Sequence, residues 1–454
     1  MYRPTRGRQP RAKPAPGKGS AAQPHLTGVT QQEKSVRSHR IRRCGQALVV
    51  LLLACVLATG VAALAQSSDT TTKPYATLDR QAVTYRGPVG TTEKDFPGRD
   101  AVIGLILPMR GPEKAEGAAL LAALQVALEQ EQAREPLPDG RKVTVVARDE
   151  SGPWGQASSE ILKLIEQDHA LVVLTSANGN IAHQAEQIAN KISFPILTLA
   201  SDPTTTQTNV PWIFRLGPGD AEQARAFGQR IYAELRLRKV LLVVQTDHDG
   251  RVGRGEFEKV ARELKAPAPD VSEISSSAPN FEPLADAIQS NSPEAVVVWT
   301  DGAATGELLS VIRRTKPRIP VFLSTKAAQL GTESLSGDLC IAAESEEQNL
   351  GDSFTIATLP TQVEADRRDF EQGYRARTGS PPGIAAFEAY EAVRLVAAGF
   401  RAAGANRVLL RDYFANDGKF HGAAPTAPFD PAGNNTEEFA IVRIDPPPAH
   451  PVFE

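Results

Sequence analysis

Apolar runs of strand length alternate with stretches of helical periodicity from residue 101 onward. The first run, residues 101–107, reads AVIGLIL, and helical spacing of apolar positions follows at residues 116–129. Strands and helices then alternate at residues 143–147, 157–167, 171–174, 181–191 and 195–199. Strands that are apolar on both faces and separated by single helices indicate parallel pairing with right-handed crossovers. This half of the chain is therefore predicted to form a doubly wound parallel sheet.

The same alternation restarts after residue 218, which indicates a second lobe. Helical patterns and apolar runs alternate at residues 221–236, 239–244, 255–265, 295–299, 304–315 and 321–324. Beyond residue 349, two helical patterns at residues 363–378 and 385–403 have no sheet of their own to pack against. We therefore expect the chain to cross back to the first lobe. Several crossings would form a multi-strand hinge between two α/β lobes, each built on a doubly wound parallel sheet.

The N-terminal region differs from the rest of the chain in charge and hydropathy. Residues 1–43 carry eleven Lys and Arg and one acid, and residues 47–65 form a nearly continuous apolar run. A basic flank, an apolar stretch and small residues at its end predict an export signal cleaved after Ala65. At ~1.5 Å per residue the run is also about long enough to span a bilayer, so an uncleaved anchor helix is the alternative. Both predict a body that is periplasmic or otherwise extracytoplasmic.

These patterns divide the chain into seven predicted segments. They are a basic disordered region (1–43), a signal peptide or transmembrane anchor (44–65), a linker (66–99), the first part of lobe 1 (100–217), lobe 2 (218–348), the return to lobe 1 (349–421), and a hinge return that completes lobe 2 and ends in a tail (422–454). Membrane contact is expected only through residues 44–65, if these residues are retained.

Charge and motif content exclude several classes of function. The whole chain has a net charge of −3 and residues 1–43 have +10, so the remainder carries −13. An acidic body argues against nucleic acid as a partner, because phosphate binding needs clustered cations. The sequence has no nucleophile elbow, no phosphate-binding loop and no histidine spacing typical of a metal centre. We therefore expect a protein that is not an enzyme, with no catalytic residue, no metal ligand and no cofactor.

Candidate ligand-binding residues follow from the order of strands and helices. In open α/β sheets, ligands bind beyond the carboxyl ends of the strands, where loops lead into helix N-termini. Loops of this kind contain Arg110, Ser176, Asn178, Ala200, Ser201 and Asp202 in the first lobe, and Asp247, Val252, Asp301, Thr325 and Lys326 in the second. The loop at residues 175–179 offers hydroxyl and amide donors suited to a carboxylate. For the Ser, Thr, Asp and Asn residues among them, helix capping alone is the alternative explanation.

An ordered series of short motifs runs along residues 100–444. It comprises Gly111-Pro112, Arg148-Asp149, PILTLAS at 195–201, WIFRLGP at 212–218, AVVVW at 295–299, AYEA at 389–392 and FDPAG at 429–433. In these motifs the chain resembles the type I periplasmic binding proteins, and specifically the Leu/Ile/Val-type, or branched-chain amino-acid, substrate-binding subunits of ABC transporters. The resemblance implies a two-lobed clamp that closes on a small ligand.

The resemblance also implies roles for individual residues of the first lobe. In this family, hydroxyls and loop amides of that lobe take the carboxylate of the ligand. By position, the role falls to Ser176 and Ala177, with Ala200 and Ser201 on the adjoining loop.

In the second lobe the sequence departs from the family pattern. The family meets the ammonium group of the ligand with an acid and an aromatic side chain. Here Val252 stands at the aromatic position, and Thr325-Lys326 stand where the acid is expected. Asp247 and Asp301 are the nearby acids that could substitute. A lysine at position 326 is expected to repel an ammonium group and to favour an additional anion.

Together these observations predict an extracytoplasmic solute-binding protein. It would capture an amino acid or a related small polar ligand between its lobes and deliver it to the membrane permease subunits of an ABC-type importer. The alternative is a ligand-sensing receptor ectodomain anchored in the membrane, which retention of residues 44–65 would favour.

Overall fold

The computed structural model describes residues 99–208, 210–329, 339–344, 361–417, 420–421, 425–426, 429–435 and 439–444. The predicted basic region, the export or anchor segment and the linker lie outside the described residues. Within the part of the chain that is described, no helix combines the length and the apolar character needed to cross a bilayer.

The first lobe is built on five strands that are all parallel, as the sequence predicts. The strands are β1 (Ala101–Leu107), β2 (Val143–Asp149), β3 (Ala170–Thr175), β4 (Ile196–Thr198) and β5 (Ile213–Arg215). The helices between them are α1 (Lys114–Arg134), α2 (Gln156–Glu166) and α3 (Gly179–Ile192). The strand order β2-β1-β3-β4-β5 places β1 and β3 at the centre, so the loops that follow these two strands lie side by side.

The second lobe continues the chain with a six-stranded sheet. Its strands are β6 (Val240–Gln245), β7 (Asp270–Ile274), β8 (Ala295–Trp299), β9 (Val321–Leu323), β10 (Leu339–Glu344) and β13 (Phe439–Ile444), in the order β13-β10-β9-β8-β6-β7. Two short strands, β11 (Phe420–His421) and β12 (Pro425–Thr426), pair separately with each other. Its helices are α4 (Asp220–Gly228), α5 (His248–Glu263), α6 (Glu282–Asn291) and α7 (Gly302–Thr315). Only β13 runs antiparallel to its neighbour among the described strands of this sheet.

Three later helices pack against the first lobe. They are α8 (Thr361–Thr378), α9 (Ile384–Ala403) and α10 (Arg407–Asp412). The side chains of Phe370, Tyr390 and Phe400 are buried in the same apolar cluster as Leu120 and Leu124 of α1. The return of the chain to the first lobe covers an apolar helix face that lobe 1 alone would leave exposed.

Two chain segments between the lobes are hydrogen-bonded to each other. The backbone N–H of Arg215 donates to the carbonyl of Gly433 at 2.7 Å, and the N–H of Asn435 donates to the carbonyl of Arg215 at 3.1 Å. The guanidinium of Arg215 also donates to Asn434 Oδ1 at 2.8 Å. Gly433 has a φ of +90°, and a Cβ there would lie 2.3 Å from the carbonyl oxygen of Ile213. The hinge thus depends on a glycine for both its backbone conformation and its close strand approach.

Candidate functional site

The carboxyl ends of the central strands of the two lobes face each other and make direct contact. The backbone N–H of Gly179, at the start of α3, donates to Asp249 Oδ1 at 3.1 Å. His248 Nε2 donates to Asp202 Oδ2 at 2.6 Å. A Cβ on Gly179 would lie 2.3 Å from Asp249 Oδ1, so the absence of a side chain lets the lobes approach. We call the space between these strand ends the cleft.

Glu150 is an almost completely buried acid on the lobe 1 wall of the cleft. It follows β2 directly and its side chain is 6% exposed. Ser176 Oγ donates to Glu150 Oε1 at 2.9 Å, whereas the buried Oε2 has no hydrogen-bond partner among the described residues. Burial raises the pKa of Glu150 well above its usual value, and the Ser176 hydrogen bond opposes this only in part. Oε2 can therefore accept a hydrogen bond from a ligand once the carboxyl is ionised.

Two further acids stand at the start of α1: Glu113 directly precedes the helix, and Glu116 lies in its first turn. Burial raises the pKa of Glu116 to about 8, and the neighbouring Lys326 lowers it only partly. Burial also raises the pKa of Glu113, again against the effect of Lys326, and the charges of Asp301 and Asp249 raise it further. The two acids at the start of α1 therefore interact electrostatically with charged residues of the second lobe.

Lys326 supplies a buried positive charge on the lobe 2 wall. Its ammonium group pairs with Asp249, and the two side chains are 6% and 10% exposed. Burial alone would lower the pKa of Lys326, but the charges of Asp249, Asp247 and Glu113 raise it, so the group stays protonated. The expectation of a lysine free to attract an anion is not met here, because Asp249 neutralises the charge.

Three of the predicted site residues cap α-helices. Asn178 Oδ1 accepts from the N–H of Asn180, Asp247 Oδ1 from that of Gly250, and Asp301 Oδ1 from that of Ala304. The second oxygen of Asp301 accepts from Gln245 Nε2 at 2.6 Å. With both oxygens engaged inside the lobe, Asp301 acts on the cleft through its charge. The capping alternative accounts for the local bonds of all three residues.

Asp202 lies at the rim of the cleft and is 1% exposed. Its Oδ2 accepts from His183 Nε2 at 2.9 Å and from His248 Nε2 at 2.6 Å. Burial would raise the pKa of Asp202, but hydrogen bonds from His183, His248 and Thr204 outweigh it and lower that pKa. Hydrogen bonds to Asp202 and Glu186 raise the pKa of His183 to about 9, and the hydrogen bond to Asp202 raises the pKa of His248.

The other predicted residues take more peripheral or structural positions. Arg110 is 65% exposed in its side chain and pairs with Asp149 rather than facing the second lobe. The remaining residues are buried or half-buried. The backbone N–H groups of Ala200 and Thr325 donate to Thr198 and Gln223, and Ser201 bonds Asp220 through both its carbonyl and its side chain. Ala177 lies in the core, and Val252 lies within α5. The structure therefore brings Ser176, Asp202 and Lys326 to the cleft and leaves Arg110 outside it.

Several residues of the cleft were not predicted from the sequence. Glu150 follows β2 in the same way as Ser176 follows β3, so the loop rule applied to every strand would have found it. Glu113 and Glu116 are spaced three apart at the start of a helix, which places both carboxylates on one face. His183, His248 and Asp249 carry no such signal, because their convergence depends on how the two lobes meet.

The two lobes, their hinge and the facing strand ends define a two-lobed binding protein. A family model described as periplasmic binding protein matches residues 101–445, so this chain belongs to the periplasmic binding protein family. Membership implies an extracytoplasmic location and a solute-binding role. The family consists of binding proteins and not of enzymes.

Solved structures of the same architecture cover most of the chain. A solute-binding protein of an ABC transporter from R. palustris, in complex with benzoate, has a TM-score of 0.65 at 18% identity over 76% of this chain and 93% of that chain. The branched-chain amino acid binding protein LivJ from Streptococcus pneumoniae, in complex with isoleucine, has a TM-score of 0.63 at 18% identity over 76% and 100%. The leucine-binding protein LivK from Thermotoga maritima has 0.62 at 18% over 76% and 95%.

At this level of identity the likeness establishes the fold. It confirms the resemblance to the branched-chain amino-acid binding proteins that the sequence motifs indicated. Among proteins with curated descriptions, no sequence match to this chain is found.

Proposed function

We propose that the cleft captures a small polar solute carrying a positively charged nitrogen group and presents it to the permease subunits of an ABC-type importer. The observation that carries the proposal is the buried Oε2 of Glu150, which has no hydrogen-bond partner among the described residues. A buried oxygen left unpaired costs ~1–3 kcal/mol. A ligand N–H group that donates to this oxygen would recover that free energy and restore the ionised form of the carboxyl.

The same geometry argues against a ligand bound through its own carboxylate. Two donors of the lobe 1 wall that could receive such a group already bind carboxylates of the protein: Ser176 Oγ bonds Glu150, and the N–H of Gly179 bonds Asp249. A ligand carboxylate would also face Glu113 and Glu116. This consideration narrows the predicted class from amino acids in general to amines, amidines and amides.

Closure follows from the hinge and from the placement of charges on both walls. A solute shifts the lobes toward the closed state only if it binds that state more tightly. Glu150 stands on the first lobe and the Lys326–Asp249 pair on the second, so a solute between them gains its full set of contacts only when both walls are near.

Two matched sets of three ligands test the proposal directly. The full-length chain is titrated with benzylamine, benzamidine and benzoate, and with leucinol, leucinamide and leucine, and the melting temperature is followed. A ligand present at 100 times its Kd stabilises the folded state by ~2.7 kcal/mol. We expect the melting temperature to rise with those ligands that carry a cationic or amide nitrogen and no carboxylate. Binding of benzoate or leucine with no response to any amine or amide would overturn the proposal.

The variant Glu150→Gln sharpens the test. The amide of glutamine can still accept from Ser176, so local packing is kept, but the negative charge is lost. Affinity for a cationic ligand should fall by at least tenfold, which corresponds to ~1.4 kcal/mol. Arg110→Gln, on the exposed surface of the same lobe, is the matched control and should leave the affinity unchanged.

A further inference from the structure

Two histidines and an aspartate converge at the rim of the cleft. His183 Nε2 and His248 Nε2 lie 2.9 Å and 2.6 Å from the same oxygen of Asp202, and the candidate ligand atoms of the three residues all lie within 4.8 Å of one another. The two imidazole rings are nearly perpendicular, at 89°, with their centroids 5.5 Å apart. Among the described residues, this is the only group of three His, Cys, Asp or Glu side chains that meets such a limit.

The three donor atoms form a set that suits a transition metal. Two imidazole nitrogens and one carboxylate oxygen are the protein ligands of open zinc sites, in which water or a small ligand takes the fourth position. Bond lengths of about 2.0–2.1 Å in tetrahedral geometry place the ligand atoms ~3.3 Å apart. The two histidine nitrogens therefore need to move away from Asp202 Oδ2 by only about half an ångström, and they already lie within 4.8 Å of each other.

Neighbouring side chains hold two of these residues in the orientation that metal binding requires. Glu186 Oε2 lies 3.2 Å from His183 Nδ1, so the carboxylate orients the ring and directs Nε2 toward Asp202. A carboxylate behind a ligating histidine is a common feature of metal sites and strengthens the ligand. Thr204 donates from its backbone N–H and its hydroxyl to Asp202 Oδ1, at 2.8 and 2.7 Å, which leaves Oδ2 directed at the histidines.

We propose that His183, Asp202 and His248 bind a divalent transition-metal ion of the zinc class and that the ion joins the two lobes. His183 and Asp202 belong to lobe 1, and His248 is the first residue of α5 in lobe 2. The ion has its full set of protein ligands only when the lobes are closed, so metal binding is linked to closure. The site is separate from Glu150 and does not depend on the identity of the solute.

The direct test uses the full-length chain without a polyhistidine tag. Zinc chloride is titrated by calorimetry into the chain and into three variants, His183→Gln, His248→Gln and His169→Asn. A glutamine at position 183 or 248 can still donate to Asp202 but is a poor metal ligand. The matched control, His169, lies outside the cleft and has a φ of +59°, a conformation that asparagine tolerates.

The expected result is one zinc ion that is bound by the unmodified chain and by His169→Asn, with affinity reduced at least a hundredfold in the other two variants. Cobalt(II) should give the visible absorption of a tetrahedral site in the same two proteins only. Zinc should also reduce the radius of gyration of the unmodified chain in solution scattering, because the lobes are held together. Absence of zinc binding, or zinc affinity that survives in His248→Gln, would overturn the proposal.

Discussion

Two aspartates join the lobes, and their surroundings differ. Asp249 reaches from lobe 2 to the N–H of Gly179 and is paired with Lys326, which is almost completely buried. Asp202 reaches from lobe 1 to His248, whose side chain is 26% exposed. In the inner contact both charges are removed from water, whereas in the rim contact the aspartate is buried and the histidine is partly exposed to solvent and ions. The inner contact should therefore govern stability, and the rim contact should govern how closure responds to small solutes and ions.

The largest effect is expected from breaking the inner pair. Lys326→Met leaves the carboxylate of Asp249 buried beside Glu113 without a cation, and removing one partner of a buried pair costs ~3–5 kcal/mol. The free energy of unfolding is measured by chemical denaturation. The double variant Lys326→Met/Asp249→Leu should recover much of this loss, because no unpaired charge remains.

The rim supplies the matched comparison for that experiment. His248→Gln keeps a donor for Asp202 at a half-exposed position, so it should change the free energy of unfolding by ~1 kcal/mol or less. Equal losses in Lys326→Met and His248→Gln would show that the two contacts do not differ in the way proposed here.

A dependence of stability on pH is expected from the buried acids of the inner region. Burial raises the pKa of Glu116 to about 8 and that of Glu150 well above its usual value, so the folded state keeps protons that the unfolded state has lost. The contribution of these groups to the free energy of unfolding is therefore complete below pH ~4.5. It falls as pH rises, with a slope of at most ~1.4 kcal/mol per pH unit for each group. Between pH 5 and 6.5, one such group accounts for up to about 2 kcal/mol.

Denaturation at several pH values in that window tests the prediction, because histidine has its ordinary pKa near 6.5 and adds little below it. Glu150→Gln should flatten the pH dependence. The control is Glu294→Gln, since two backbone hydrogen bonds hold the pKa of Glu294 below its usual value and the group is ionised throughout. A stability that rises with pH across the window in the unmodified chain would contradict the assignment.

Ligand preference should change when Asp249 is removed. Asp249→Ala frees both the N–H of Gly179 and the ammonium of Lys326, which are the groups that a ligand carboxylate needs. We expect benzoate or leucine to bind at least tenfold more tightly to this variant than to the unmodified chain, a difference of ~1.4 kcal/mol. Calorimetric titration measures it, and an unchanged carboxylate affinity would show that Asp249 does not exclude such ligands.

The sequence predicted the lobes more completely than the cleft. Continuous apolar runs such as residues 101–107 and 295–299 identify buried parallel strands by themselves. The edge strand β7, with the sequence DVSEI and an exposed first residue, was not predicted because its polar residues give no apolar run. Ser176, Asp202 and Lys326 were predicted at the correct strand ends, but their partners Glu150, His248 and Asp249 were not. Those partners depend on contacts between distant segments, which local patterns do not encode.

The smallest effect is expected from a substitution at Gly179, which lies next to both Asp249 and Asp202. A Cβ at this position would lie 2.3 Å from Asp249 Oδ1, 3.1 Å from His248 Cδ2 and 3.3 Å from Asp202 Cβ. The methyl group of Gly179→Ala would therefore crowd residues of the inner contact and of the rim contact at the same time. We expect a three- to tenfold weaker affinity for the solute and a larger radius of gyration in its presence, equivalent to about 1 kcal/mol.

Gly255→Ala is the matched control, because Gly255 lies within helix α5 and its Cβ would meet nothing within 4 Å. Alanine in a helix interior is favoured over glycine by ~0.5–1 kcal/mol, so this variant should be slightly more stable and should bind the solute as the unmodified chain does. The same helix propensity favours alanine at position 179, so a loss of affinity there cannot come from a weaker helix. If Gly179→Ala binds and closes like Gly255→Ala, the lobes do not meet at Gly179 when the solute is bound, and neither aspartate bridges them in that state.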